Sequence, residues 1–262
     1  MKHIEHFFEF AAERIRITTA VRDGGDRTTT DPVFQHLPFG HIVREDDSLT
    51  RWFRHNIRSK IEEPNSLVLA CLAFRWFNSL RAGSLLKPWL LRERPWNENQ
   101  ILSEIHSTGR PLAVIDNVPR DAAVLALLRP FITSSLGAHA ESEAWPLRYM
   151  HQHLVTYDYV TPTLAYEVAL DLRHTCVLDQ ADDVNAWANL SPHVCRGMGL
   201  VVSDDPLEFV FGHERTIRGM LYQMRFLLEE AWSRGLTWEM SEVESALHEF
   251  HRYRISQHQG FK

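Results

Sequence analysis

The chain has 262 residues, 44% hydrophobic and 24% charged, with a formal net charge of −6. That length and composition suit a folded protein with a sizeable core and exclude disorder. The negative balance argues against a nonspecific coat for nucleic acid, and no apolar run approaches the roughly 20 residues that span a bilayer. Three cysteines without CxxC spacing (Cys71, Cys176 and Cys195) predict a reduced, cytoplasmic setting and no cysteine-based zinc site. The N-terminus carries acids and has no small-residue cleavage site, so it is not read as a signal peptide.

In chain order, residues 3–22 predict a helix with Ile4, Phe7, Phe8, Ala11 and Ile15 on one face. Arg14, Thr18 and Arg22 form a second row at spacings of four. Gly24-Gly25 ends this helix, and a long polar loop follows. Residues 48–61 predict a helix whose core side carries Leu49, Trp52, Phe53 and Ile57. Pro64 opens a helix to about residue 80 that is apolar on most sides and therefore central. Further helices are expected at 97–107, 119–129 and 146–157. Residues 112–115 are an apolar run too isolated to build a sheet, and residues 133–146 read as a loop.

The densest stretch follows. Thr161 and Pro162 are a capping pair. Leu164, Val168 and Leu172 make an apolar stripe, and Glu167, Asp171 and His174 share another face at spacings of four and three. These three fit a base, an orienter and an acid; the alternative is a buried Asp paired with an Arg. A short helix is expected at 181–188. Pro192 and Arg196-Gly197-Met198-Gly199 predict a tight hairpin whose amides meet a phosphate. Helices at 213–234 and 241–255 complete the chain. The expected fold is all-α, in one domain over residues 1–262.

Arg14, Arg22, Arg27 and Arg44 surround the long polar loop and predict an anion site, since guanidinium forks suit phosphate. No HExxH, P-loop, GxGxxG or GxSxG is present, so zincin, ATP-kinase, Rossmann and α/β-hydrolase chemistry have no support. No metal and no cofactor is expected.

Four blocks carry a family resemblance. The first joins the Phe8-Glu9-Phe10-Ala11-Ala12-Glu13-Arg14-Ile15 run to Asp31-Pro32-Val33-Phe34. The second is Val43-Arg44-Glu45-Asp46-Asp47 with Thr50-Arg51-Trp52. The third is Ala165-Tyr166-Glu167-Val168 with Asp171-Leu172-Arg173-His174-Thr175, followed by Trp187-Ala188-Asn189 and Arg196-Gly197. The last is Glu242-Val243-Glu244, Glu249-Phe250 and Arg252-Tyr253-Arg254. In order and spacing they resemble the α-glutamyl/putrescinyl thymine pyrophosphorylases, the amino acid:DNA transferases, whose helical module also occurs in phage 5-hydroxymethyluracil DNA kinases.

The resemblance implies a fold like the helix–hairpin–helix DNA glycosylases. It implies a transferase that displaces pyrophosphate from 5-(pyrophosphoryloxymethyl)uracil in double-stranded DNA with an amine or amino acid, in a phage-infected or bacterial cell. Residue by residue, Asp171, Glu167 and His174 would be catalytic. Arg14, Arg22, Arg44, Asp31, Tyr166 and Arg173 would bind substrate and pyrophosphate. Trp187, Asn189, His193, Arg196 and Gly197 would hold DNA. The alternative is a non-catalytic helical DNA-binding module that assists a separate kinase or glycosylase-like enzyme. The sequence departs from the family at the hairpin, where Ser191-Pro192-His193-Val194-Cys195 stands for a Gly-Pro-Gly-like turn. It departs again near the end, where Leu247-His248-Glu249-Phe250-His251-Arg252-Tyr253 replaces a Cys-Glu-Phe-Asp-Lys-Tyr-like run. On this reading Asp171→Asn abolishes transfer and leaves the fold intact.

Overall fold

A computed structural model describes residues 2–106, 114–115, 118–212 and 214–259. Among the described residues thirteen α-helices alternate with short connections: α1 (Ile4–Arg22), α2 (Pro32–His36), α3 (Ser48–Asn56), α4 (Pro64–Phe77), α5 (Leu80–Leu90), α6 (Glu98–His106), α7 (Arg120–Ile132), α8 (Leu136–Ser142), α9 (Leu147–Leu154), α10 (Pro162–Leu172), α11 (Pro192–Val202), α12 (Glu214–Ser233) and α13 (Met240–Gln259). A two-residue pairing of Val114–Ile115 with Val118–Pro119 is the one strand contact among the described residues. The all-α expectation is met. No single described helix is long and apolar enough to cross a membrane.

The chain forms two compact units, Ser48–Asp183 and a discontinuous one made of Met1–Asp47 with Val184–Lys262. In the discontinuous unit the core is aromatic. Phe10 stacks on Phe34 with ring centroids 5.5 Å apart, Phe34 on Tyr253 at 5.2 Å, and Phe7 meets Phe250 edge-on at 5.6 Å. Such pairs add about 0.5–1.5 kcal/mol each beyond the area they bury. The Tyr253 hydroxyl donates to Asp31 Oδ2 at 2.6 Å, which gives the one polar tip in this cluster an acceptor.

The segment read as a hairpin at 192–199 lies within α11. Ser191 caps it, its Oγ accepting from Val194 N, and Pro192 takes the first position. Its glycines serve packing. A Cβ on Gly197 would stand 2.1 Å from the Leu247 carbonyl oxygen of α13, and one on Gly199 2.2 Å from the Asp205 carbonyl oxygen. Close approach of α11 to α13 therefore requires no side chain at Gly197, and that of the 205 turn none at Gly199.

In the Ser48–Asp183 unit α4 is the buried axis, as its apolar composition predicts. Glu63 caps it by accepting from Asn65 N at 3.0 Å and Ser66 N at 2.6 Å. Asn78 stops it in the left-handed region at φ 45. Phe53 of α3 stacks on Phe74 at 4.3 Å. Gly137 of α8 lies against Pro64, where a Cβ would fall 2.2 Å from the carbonyl oxygen. The Asp183 carboxylate accepts from Leu147 N and Arg148 N, capping α9 from 35 residues downstream.

The structure differs from the expected elements elsewhere too. α2 lies inside the predicted loop, started by Asp31, which accepts from Val33 N at 2.8 Å. α3 ends at Asn56 and a single 3-10 turn, Arg58–Lys60, follows. α5 and α8 occupy segments without a predicted helix, and residues 181–188 form turns rather than a helix. Of the 112–115 run, residues 112–113 lie outside the described residues.

Candidate active site

α10 holds the residues that the sequence singles out. Thr161 Oγ1 accepts from Leu164 N at 3.2 Å, and Leu164, Val168 and Leu172 are buried as the stripe requires. Along the other row, Glu167 is half-buried and Asp171 is completely buried. The helix stops at Leu172, so His174 sits past its end, exposed, and the three-residue polar face is a two-residue one.

The Asp171 carboxylate is held on both oxygens. Arg75 donates from Nε to Oδ2 at 2.5 Å and from Nη2 to Oδ1 at 2.7 Å. Arg58, itself buried, places Nη1 3.7 Å from Oδ1 and donates to the Asp171 main-chain oxygen at 3.3 Å. Arg75 also donates to Thr50 Oγ1 at 2.9 Å and to Asn78 Oδ1 at 3.3 Å. A planar fork meeting a carboxylate through two charge-assisted bonds holds a buried acid strongly and in one geometry. Asp171, expected as a free acid or base, is thereby the anchor that fixes Arg75.

Arg75 and Arg58 are functional candidates that the sequence reading missed. Arg75 is the one charged side chain in the apolar run of α4, and that isolation was the available signal.

Arg75 opens onto a cavity of about 400 Å³ between the C-terminal end of α4 and the N-terminal half of α10. Asn78, Tyr159, Thr161, Thr163 and Glu167 supply its other polar lining, and Trp76, Phe77 and Leu164 its apolar wall. Volumes of this order hold small-molecule or single-base ligands. Asn78 closes α4 at φ 45, and Tyr159 stands at φ 65 on the opposite wall. The lining thus includes one half-buried carboxylate, hydroxyl groups, aromatic walls and the residue Arg75, whose guanidinium is held by Asp171, Thr50 and Asn78.

The other expected residues of this unit stand apart from that lining. Tyr166 is buried with its ring 6.5 Å from His151, whose pKa burial pushes down. Arg173 Nη1 donates to the Asp179 carbonyl at 3.1 Å.

The remaining candidates belong to the discontinuous unit. Arg14 is buried and spends its fork within the chain: Nε donates to Gly40 O at 2.8 Å, Nη2 to Phe39 O at 2.7 Å and Nη1 to Thr18 Oγ1 at 2.9 Å. It clamps the 39–40 turn to α1, and burial lowers its pKa. Arg22 pairs with Asp46 at 3.0 Å and with Asp23. Arg27 donates to the Leu37 carbonyl. Arg44 is half-buried in the 3-10 turn Arg44–Asp46. Asp31 caps α2 and receives Tyr253. Arg14, Arg27 and Asp31, expected around an anion, are structural partners of the loop they surround.

Trp187 and Asn189 are half-buried, and His193 and Arg196 are exposed on α11. His193 Nδ1 lies 3.1 Å from His251 Nδ1, and its ring stacks on His248 at 4.9 Å. Burial and the neighbouring His193 and Arg196 push the His251 pKa down to about 4. Gly197 offers no free amide, because its N–H lies inside α11.

A family model described as the 5-hmdU DNA kinase helical domain matches residues 1–261. The chain belongs to that family. No curated protein and no solved structure shows significant similarity to it. The match takes in both units of the chain, α4, α10 and every residue of the cavity.

Proposed function

We propose that this protein acts in thymine hypermodification of DNA, as a transferase that replaces pyrophosphate on 5-(pyrophosphoryloxymethyl)uracil with an amine or amino acid. The cavity bearing Glu167 and Arg75 in a chain of the 5-hmdU DNA kinase helical-domain family carries this reading. The modified base, everted from the duplex as in helix–hairpin–helix glycosylases, enters that cavity. The amine nitrogen attacks the exocyclic methylene carbon. A C–N bond forms as the C–O bond to pyrophosphate breaks, and the leaving group keeps the electron pair. Glu167 accepts the proton that the amine gives up. Arg75, fixed by Asp171 and backed by Arg58, stabilises the charge that develops on the departing oxygen without having to reorganise. His193 and Arg196, exposed on α11, contact DNA phosphates. The setting is the cytoplasm of a bacterial or phage-infected cell.

Saturation of both Asp171 oxygens favours a second reading, a non-catalytic module that presents modified DNA to a separate enzyme. Incubation of the protein with pyrophosphorylated DNA and mixed amines separates the two. Digestion to nucleosides and mass spectrometry then finds aminated thymidine for the transferase. Tight binding with the DNA recovered unchanged identifies the module.

A further inference from the structure

In the discontinuous unit, α12 buries one face completely and leaves an aromatic one outside. Met220, Met224, Leu227, Leu228 and Ala231 have no exposed surface. On the opposite side Tyr222, Phe226 and Trp232 are 73%, 42% and 45% exposed. Helical periodicity places these three on one stripe with Arg225 and Glu229, which are also exposed. A single exposed aromatic is ordinary, but three along a stripe of about 15 Å mark a surface built to be covered. Trp232 is held ready for a partner. Its Nε1 donates to the Trp238 main-chain oxygen at 2.9 Å, which fixes the orientation of the exposed indole.

The charges on the stripe identify what covers it. Arg225 and Glu229 are four apart with the Arg first, the less favourable order for pairing along one helix, and neither forms an ion pair with a described residue. The pair that does form in this region, Glu230 with Arg234, has the opposite order. Now lay α12 antiparallel against a second copy, with a two-fold axis beside Leu227. Arg225 then faces the Glu229 of the other copy, and Glu229 its Arg225. The same axis sets Tyr222 against the other copy's Trp232 and brings the two Phe226 rings together. One centre thus serves both the charged and the aromatic pairs, and each contact is made twice, as an isologous interface requires. A nucleic-acid strand fits the stripe less well, since Glu229 in its middle repels phosphates. We propose that this chain forms a two-fold dimer through α12, a second copy covering the stripe of Tyr222, Phe226 and Trp232. The dimer stands whether or not Glu167 and Arg75 perform transfer.

Sedimentation velocity of the full chain tests this. A face one helix wide is small for an interface, so a reversible dimer with a dissociation constant on the order of 10 µM is expected. Arg225→Glu sets carboxylate against carboxylate at both contacts, and Glu229→Arg sets guanidinium against guanidinium. Both positions are exposed, so the fold is kept, and each variant should raise the constant about tenfold or more. Phe226→Ala keeps both charges and should weaken the dimer as well. An equimolar mixture of the two charge variants is decisive. In the mixed dimer every altered charge again faces its opposite, so the mixture should recover to within about threefold of the wild-type constant. A wild type that stays monomeric up to about 200 µM, single variants that dimerise as the wild type does, or a mixture that fails to recover overturns the proposal. A monomeric wild type whose Arg225→Glu variant loses DNA binding overturns it too, and gives the stripe to nucleic acid.

Discussion

Asp171→Asn tests the arrangement at the heart of the Ser48–Asp183 unit. The substitution keeps the size of the side chain and removes its charge. Arg75, which donates to Asp171 at 2.5 and 2.7 Å, then stays buried without the carboxylate that both of those bonds reach. Breaking a buried pair by removing one partner costs about 3–5 kcal/mol, because the remaining charge stays desolvated. For a chain of this size each kcal/mol lowers Tm by about 2–4 °C, so a fall on the order of 10 °C is expected by differential scanning calorimetry. Glu167→Gln, at a half-buried position lining the cavity, is the control and should change Tm by no more than about 2 °C, as for a substitution away from the core. An Asp171→Asn protein that melts with the wild type would refute the claim that this carboxylate is a structural anchor. It would return Asp171 to the free acid–base role that its sequence position suggested.

Gly197→Ala should destabilise the discontinuous unit by at least about 1–3 kcal/mol in urea melts, since its methyl group would meet the Leu247 carbonyl oxygen at 2.1 Å. Arg14→Ala frees the carbonyls of Phe39 and Gly40 from their clamp; faster amide exchange around residues 37–42, with α4 unaffected, is the expected readout, and unchanged exchange would show the clamp to be idle. His251 is neutral in the folded protein down to about pH 4, whereas an unfolded histidine takes its proton near pH 6.5. The unfolded state binds more protons between those values, so stability is full above about pH 6.5 and falls as the pH drops towards 4. His251→Gln should flatten that part of the stability profile, and an unchanged profile would place the acid sensitivity elsewhere.

Much of the fold is legible in the residues because local and global signals agree. Pro64 and Pro162 each follow a residue that caps the helix, and α4 is apolar nearly all round, so its central position follows from composition. The failures have physical causes. Pro192, Gly197 and Gly199 carry the composition of a turn, but Pro at a first helical position and Gly at a tight helix crossing are equally good uses of those residues. Only the nearness of the Leu247 and Asp205 carbonyls decides between them. α5 contains Pro88 and α8 contains Gly137, each a formal helix breaker that packing overrides.

The candidate site is half legible. Glu167 and Asp171 are visible as a pair at a spacing of four. Their different fates depend on Arg75, 96 residues earlier in the chain, and no local pattern encodes that partnership. The arginines near the N-terminus mislead for the converse reason. Their spacing suggests an external anion, while the acceptors that Arg14 and Arg27 use are main-chain carbonyls that a sequence does not display.

The most direct measurement is pyrophosphate release from DNA carrying 5-(pyrophosphoryloxymethyl)uracil, followed with and without added amine for the wild type and for Glu167→Gln. The account predicts amine-dependent release matched mole for mole by incorporated amine, and a loss of about 10²-fold or more in the folded variant. Release that ignores the amine, or equal rates in both proteins, would contradict it.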